Sequence, residues 1–220
     1  MPCYKRPEYT KRCIEAIEKA QKYKDTIFYL VDDGSSDGTI DTLLNCDLNK
    51  YVVQNPYSMG LRRVIIDFMD WVKKSDYNLI GKIDNDCIVP KGFLSKILQL
   101  FVDSPADILS PNVFPSDAAF KYGSPDVANF GYRPAKVVGG LWFMRKEIIK
   151  GIDFERHDIL GIKGAFNIIK QIILDRDPIV GWIPDLTFQD LGHWSGKHPE
   201  HIKTGEHELY YQEVGRKIAW

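Results

Sequence analysis

The stretch Ile27-Phe28-Tyr29-Leu30-Val31-Asp32-Asp33-Gly34-Ser35-Ser36-Asp37-Gly38-Thr39-Ile40 decides the fold. Its first five residues are apolar without alternation and rich in β-branched and aromatic types. That pattern predicts a strand buried on both faces, as in a parallel sheet. Two carboxylates follow where the strand should end. Gly34 to Gly38 then makes a turn whose Ser and Asp side chains can cap a helix starting near Thr39. Strand, acidic edge, capped turn and helix is how open α/β sheets hold ligands at the carboxyl ends of their strands.

The rest of the chain fits one such sheet. Its 220 residues are enough for one sizeable core and read as a single domain, 1–220. A hydrophobic content of 44% excludes a disordered chain, and a net charge of -1 argues against a general nucleic-acid or membrane-surface binder. No apolar stretch approaches the length of a membrane span, and no secretory leader precedes the first charged residues. Cys3, Cys13, Cys46 and Cys87 form no C-x-x-C pair, so they read as reduced thiols of a cytoplasmic protein.

Met1 to Pro7 reads as a loop with no strand before it. Helical periodicity is expected from Glu8 to about Tyr23, over Thr39 to Asn45, from Leu61, after Pro90-Lys91, and from about Gly164 to Leu174. Strands are expected at Lys50–Gln54, Asn78–Ile83, Ala106–Val113 and Pro178–Pro184. Arg62 and Arg63 open a helix, where the macrodipole does not favour cations; they are either a solvated face or a phosphate contact. Phe114 to Pro134 lacks any period and is long for a connection, which suggests a binding loop.

Three constellations carry chemistry. Asp84-Asn85-Asp86 follows a buried strand, and two carboxylates at that spacing can share one face of a turn, an arrangement suited to Mg²⁺ or Mn²⁺ held with substrate phosphates. The same spacing at Asp175-Arg176-Asp177 precedes Pro178 and reads as a turn. His193 is a second candidate, either a further metal ligand or a surface histidine. Gly139-Gly140-Leu141-Trp142 is the third: a glycine pair lets backbone approach a ligand, and Trp142 either stacks on a sugar or packs in the core.

Four blocks in order resemble the family 2-like, GT-A-fold glycosyltransferases: Tyr4-Lys5-Arg6-Pro7-Glu8-Tyr9; Val31 to Thr39; Ile83-Asp84-Asn85-Asp86 with Pro90-Lys91-Gly92-Phe93; and Gly139 to Arg145. The resemblance implies a mixed, mostly parallel sheet flanked by helices, with 1–100 as nucleotide-binding half and 101–220 as acceptor-binding half. It implies a UDP- or GDP-sugar donor, Mn²⁺ or Mg²⁺, a glycan or lipid-linked acceptor, and a cytoplasmic chain peripheral at the inner face of the membrane. Pro2 and Tyr4 would line the nucleotide pocket, and Asp33 would hydrogen-bond the base. Asp84 would contact the ribose or sugar, with Asn85 on the same donor side. Asp86 and His193 would hold the metal, and Gly140 and Trp142 would face the sugar or acceptor.

Three departures from that pattern carry expectations of their own. Met1 falls inside the first block, so the family's first strand is expected to be missing. The N-x-G loop before the third helix is stretched between Asn55 and Gly60. The E-D pair expected to open the helix after the glycine block is absent, leaving Asp158 as the chosen general base, with Asp153 and Glu155 as alternatives and an ordinary loop residue as the competing reading. A binding domain without catalysis is the second functional reading. A sugar-phosphate nucleotidyltransferase ranks last, because no Gly-rich phosphate loop opens the chain.

Overall fold

The computed structural model describes residues 1–20, 25–114, 131–135, 140–155 and 166–191. The quoted stretch forms β2 (Phe28–Asp32), whose last three residues are buried, and α2 (Thr39–Asn45). The helix start is secured by Asp37, whose Oδ1 accepts from the Thr39 N–H and hydroxyl at 3.2 and 2.7 Å. Neither serine supplies that cap. Parallel to β2 on one side runs β3 (Lys50–Gln54), and on the other β1 (Pro2–Cys3).

The expectation of a missing first strand is therefore met only in part. Two residues of it are present. Pro2 has no N–H to donate, so its neighbours make the ladder: the Met1 amine donates to Tyr29 O at 2.6 Å, Val31 N–H to Met1 O at 3.0 Å and Asp33 N–H to Cys3 O at 2.8 Å.

A second sheet is built from β4 (Leu79–Lys82), β5 (Cys87–Ile88), β6 (Ile108–Phe114), β7 (Arg133–Pro134), β8 (Trp142–Arg145) and β9 (Val180–Asp190), in the order β4-β8-β6-β9-β5 with β7 on β9. β6 and β9 are parallel; the other pairs here are antiparallel. The register of β6 on β9 shifts between Pro111 and Asn112, opposite the segment holding Pro184. Prolines on both strands cannot donate to the ladder, so the pair bulges there and resumes. This lets β9 run well past the expected Pro178–Pro184.

Helices cover both faces. α1 (Pro7–Ala20) and α4 (Phe93–Asp103) bury Cys13, Ile17, Phe93 and Ile97 against Leu109 and Phe143. α3 (Leu61–Lys73) and α5 (Phe166–Arg176) bury Ile66, Met69, Ile168 and Ile172 against Ile108, Trp142 and Met144. The alternation of β8 thus sends Trp142 and Met144 to one helical layer and Phe143 to the other. β1 and β4 are the end strands of the two sheets. A cavity of about 380 Å³, lined by Met1, Phe28, Tyr29, Trp71, Leu79 and Gly81 among others, separates β2 from β4. All four cysteines are free thiols, three of them buried; burial pushes Cys3 up to about 12. No helix among the described residues is long and apolar enough to cross a membrane.

Candidate active site

The two acidic edges sit at the carboxyl ends of β2 and β4, and they do different things. Asp32 is buried, with Oδ1 accepting from Ser35 N–H at 3.1 Å and no hydrogen bond to Oδ2 among the described residues. Burial raises its carboxyl above the ordinary range. Asp33 accepts four hydrogen bonds: Asn55 Nδ2 at 2.8 Å and Met59 N–H at 2.9 Å on Oδ1, Ser58 Oγ at 2.8 Å and Gly60 N–H at 2.9 Å on Oδ2. The stretched loop 55–60 is thus wrapped around one carboxylate. Gly34 makes the wrap possible, since a Cβ there would lie 2.3 Å from the Tyr57 carbonyl carbon. The role expected for Asp33, bonding a base, meets a carboxylate whose oxygens are already engaged within the protein.

Asp84 and Asp86 flank the turn after β4. The turn is fixed by Cys87 N–H to Asp84 O at 3.3 Å, by Leu191 N–H to Asp86 O at 2.8 Å, and by Asn85 Nδ2, which donates to Thr10 Oγ1 on α1 at 2.8 Å. Asn85, expected on the donor side, serves this attachment. Each carboxylate has one oxygen on a cation of the chain itself. Arg6 Nη1 lies 3.0 Å from Asp86 Oδ2, and Lys82 Nζ is paired with Asp84 Oδ1. Both cations are buried, and Lys82 also donates to Gly140 O at 2.8 Å. Burial raises the Asp86 carboxyl, the Arg6 guanidinium opposes that, and the Asp84 charge adds to it.

The remaining oxygens set the ligand test. Asp84 Oδ2 accepts no hydrogen bond among the described residues, and Asp86 Oδ1 has only the Cys87 thiol at 4.0 Å. Two carboxylate oxygens, one from each residue, suit a hard divalent cation whose other positions are filled by water and phosphate. No cluster of three His, Cys, Asp or Glu side chains occurs among the described residues. A divalent ion fits this pair as a partner shared with its ligand, not as a cage.

Around the pair, Gly140 sits so close that a Cβ would meet Asp84 Oδ2 at 2.9 Å and Lys82 Nζ at 3.8 Å. Pro2 and Tyr4 lie on the neighbouring β1 segment, half-buried. Lys5 and Arg6 adopt positive φ angles of 55° and 63°, a left-handed turn that costs non-glycine residues energy and lays Arg6 over Tyr9, 4.5 Å from its ring centre. Lys5 N–H donates to Ser35 Oγ at 2.8 Å, tying this turn to the one after β2.

Trp142 needs correction. Expected to face the sugar or acceptor, it is 2% exposed and packs with Ile65, Met69 and Met144. β8 begins at Trp142, whose side chain enters the layer of α3 and α5, while Gly140 lies before the strand, beside Asp84. Arg62 donates to Phe154 O at 2.9 Å, and Arg63 pairs with Asp67 and Glu155. Glu155 is thereby engaged, and Asp153 Oδ1 accepts from Glu155 N–H at 3.0 Å. Asp158, His193 and most of the loop 114–134 lie outside the described residues. The cations Arg6 and Lys82 were not singled out by sequence reasoning. Only the position of Lys82, two residues before Asp84 in a buried strand, signals its role.

Helical layers on both faces of a mixed sheet, with acidic turns at the carboxyl ends of β2 and β4, define the GT-A fold. The chain matches glycosyl transferase family 2 over residues 1–178, and it belongs to that family. No curated protein sequence matches it. Among solved structures, S. aureus TarS 1-349 is 16% identical with a TM-score of 0.63, over 87% of this chain and 59% of that one. The same TarS segment in complex with UDP-GlcNAc is 17% identical with a TM-score of 0.63, over 90% and 59%. The mannosyltransferase PcManGT from Pyrobaculum calidifontis, in complex with GDP-Man and Mn²⁺, is 15% identical with a TM-score of 0.64, over 100% and 64%. The chain therefore spans 59–64% of the length of these solved chains, and at such identities the likeness speaks for the fold.

Proposed function

We propose that the chain transfers a sugar from a nucleoside-diphosphate donor, UDP- or GDP-linked, to a hydroxyl of a glycan or lipid-linked acceptor, with inversion. The observation that carries this reading is the convergence of Asp84, Asp86 and Gly140 at the carboxyl end of β4. Two carboxylate oxygens and a backbone without a side chain leave room for a diphosphate and its cation. A divalent ion held by Asp84 and Asp86 would neutralise the charge of the departing diphosphate.

The chain's own residues do the rest. Pro2 and Tyr4 bound the space beside Asp84 on the nucleotide side. Asp33 shapes that wall by holding loop 55–60 in place. Arg6 and Lys82 orient the two carboxylates. Asp158, next to His157 and nearest the start of the following helix, is assigned as the base that takes the acceptor proton; of the alternatives, Glu155 is paired with Arg63, and Asp153 Oδ1 accepts from Glu155 N–H. His193 is assigned beside Asp86 on chemistry alone.

A second reading, a nucleotide- or glycan-binding domain without turnover, draws on one observation. Each of the two carboxylates is already paired with a cation of the chain. Calorimetric titration of UDP and GDP with and without Mn²⁺, followed by donor turnover, separates the readings. Metal-dependent binding with transfer supports the enzyme. Binding without transfer or hydrolysis supports the second reading, and absence of nucleotide binding overturns the first and leaves only the glycan-binding form of the second.

A further inference from the structure

The paired cations of the site bear on how its ligands arrive. We infer that Arg6 and Lys82 are resident counter-ions that make cation binding at Asp84 and Asp86 conditional on the diphosphate; this deepens the nucleotide-binding reading and rests on it.

The four side chains Arg6, Lys82, Asp84 and Asp86 sum to zero formal charge. Arg6 is 7% exposed and Lys82 6%, so neither is screened as a surface charge is. A divalent ion arriving alone meets a neutral cluster and two cations at close range, where repulsion in a poorly solvated site is strong. A diphosphate changes the balance. Its oxygens offer new partners to the guanidinium, whose planar fork matches phosphate, and to the ammonium, which needs only a point contact. The carboxylate oxygens these cations release then become available to the metal. Metal and diphosphate thus each raise the affinity of the site for the other, and the coupling is reciprocal.

Two features show that these pairs are built in. Arg6 reaches Asp86 from a left-handed turn at positions 5 and 6, a backbone arrangement that persists only where its surroundings enforce it. Lys82 is held from a second side by Gly140 O, which keeps its ammonium beside Asp84 while the Asp84 contact is exchanged for phosphate.

The test is a titration of the full chain with Mn²⁺, read by the loss of the free-ion electron paramagnetic resonance signal, with and without UDP or GDP. Wild-type protein is expected to bind Mn²⁺ at least about a hundredfold more tightly with nucleotide than without. Lys82→Met is expected to bind Mn²⁺ alone roughly tenfold more tightly than wild type, the scale of removing one nearby unit charge, and the coupling shrinks accordingly. Lys82→Arg keeps the charge and is expected to behave as wild type. Circular dichroism and urea denaturation establish that each variant is folded before titration, and the Mn²⁺ bound by UDP or GDP alone is subtracted with protein-free controls. If wild type binds Mn²⁺ equally with and without nucleotide, or Lys82→Met keeps the full coupling, the inference falls while nucleotide binding stands. If neither nucleotide binds under any condition, the functional reading falls and this inference falls with it.

Discussion

Asp84 Oδ2 stands 2.9 Å from the point where a Cβ on Gly140 would be, so these two residues approach as they do only because position 140 has no side chain. The glycine supplies space at this point, and any side chain would take it. Gly140→Ala is therefore expected to displace the Asp84 carboxylate or the 140 segment and to weaken Mn²⁺-dependent nucleotide binding about tenfold or more. Gly92→Ala is the matching control. It meets open space but a left-handed φ of 73°, so it is expected to cost about 1 kcal/mol of stability and leave binding intact. Calorimetry and urea denaturation of both variants check the contrast.

Asp32 and Asp33 are neighbours with opposite expectations. Asp33 organises a loop through four hydrogen bonds. In Asp33→Asn one oxygen becomes an NH₂ group facing the Gly60 N–H, donor against donor. A loss of about 2–4 kcal/mol is expected, with faster amide exchange at Met59 and Gly60. Urea unfolding with hydrogen exchange measures both effects, and wild-type protection in the variant would remove the carboxylate's organising role.

Asp32→Asn behaves differently with pH. Burial raises the Asp32 carboxyl in the folded chain. A folded-state pKa above the unfolded one adds stability at low pH and loses it as pH rises through the raised value. The neutral variant lacks this term. The stability of wild type relative to Asp32→Asn is therefore expected to improve as pH falls from 7 toward 4. Urea midpoints of the two proteins at three pH values test the sign, and a flat difference would place the carboxyl in the ordinary range.

Much of this architecture is legible in the sequence, for reasons that differ by residue. β2, α2 and β3 follow from an unbroken apolar run, a turn rich in Gly and Asp, and a short β-branched segment, all local signals. The pairing of Asp84 with Asp86 follows from their spacing after a strand. The partners of Asp33 do not, because they lie 22 to 27 residues away and meet it only once α3 has docked. The place of Trp142 is not legible, because a Gly-Gly-x-Trp run says that a strand is near and not which layer its side chains enter. Nor is the role of Lys82, because a lysine is usually solvated, and burying one requires partners that appear only in the folded site.

Arg145 shows how a residue inside a site block can serve structure. Its Nε donates to Ala106 O at 2.9 Å, and its Nη2 donates to Phe101 O at 2.5 Å and Ser104 O at 3.0 Å, covering the carbonyl end of α4. Lysine cannot reproduce three bonds in that fork. Arg145→Lys is expected to lose about 1–3 kcal/mol in urea denaturation, and a variant as stable as wild type would mean that these carbonyls find water instead.

Asp86→Ala joins the stability and ligand arguments. It removes the carboxylate paired with Arg6 and leaves a buried guanidinium facing an empty space, which is expected to cost about 3–5 kcal/mol. It also removes one of the two carboxylates assigned to the cation, so metal-dependent nucleotide binding should vanish even under conditions where the variant is fully folded. Asp86→Asn separates the two effects. Its amide oxygen can still accept from Arg6, so stability is expected to recover in part, while an amide is a poor substitute for a carboxylate on Mn²⁺. Calorimetry with UDP or GDP and Mn²⁺, run beside urea denaturation, reads both. Retained metal-dependent binding in folded Asp86→Ala would take Asp86 out of the metal site. Loss of binding in Asp86→Asn with recovered stability would place its charge, and not its shape, at the centre of donor recognition.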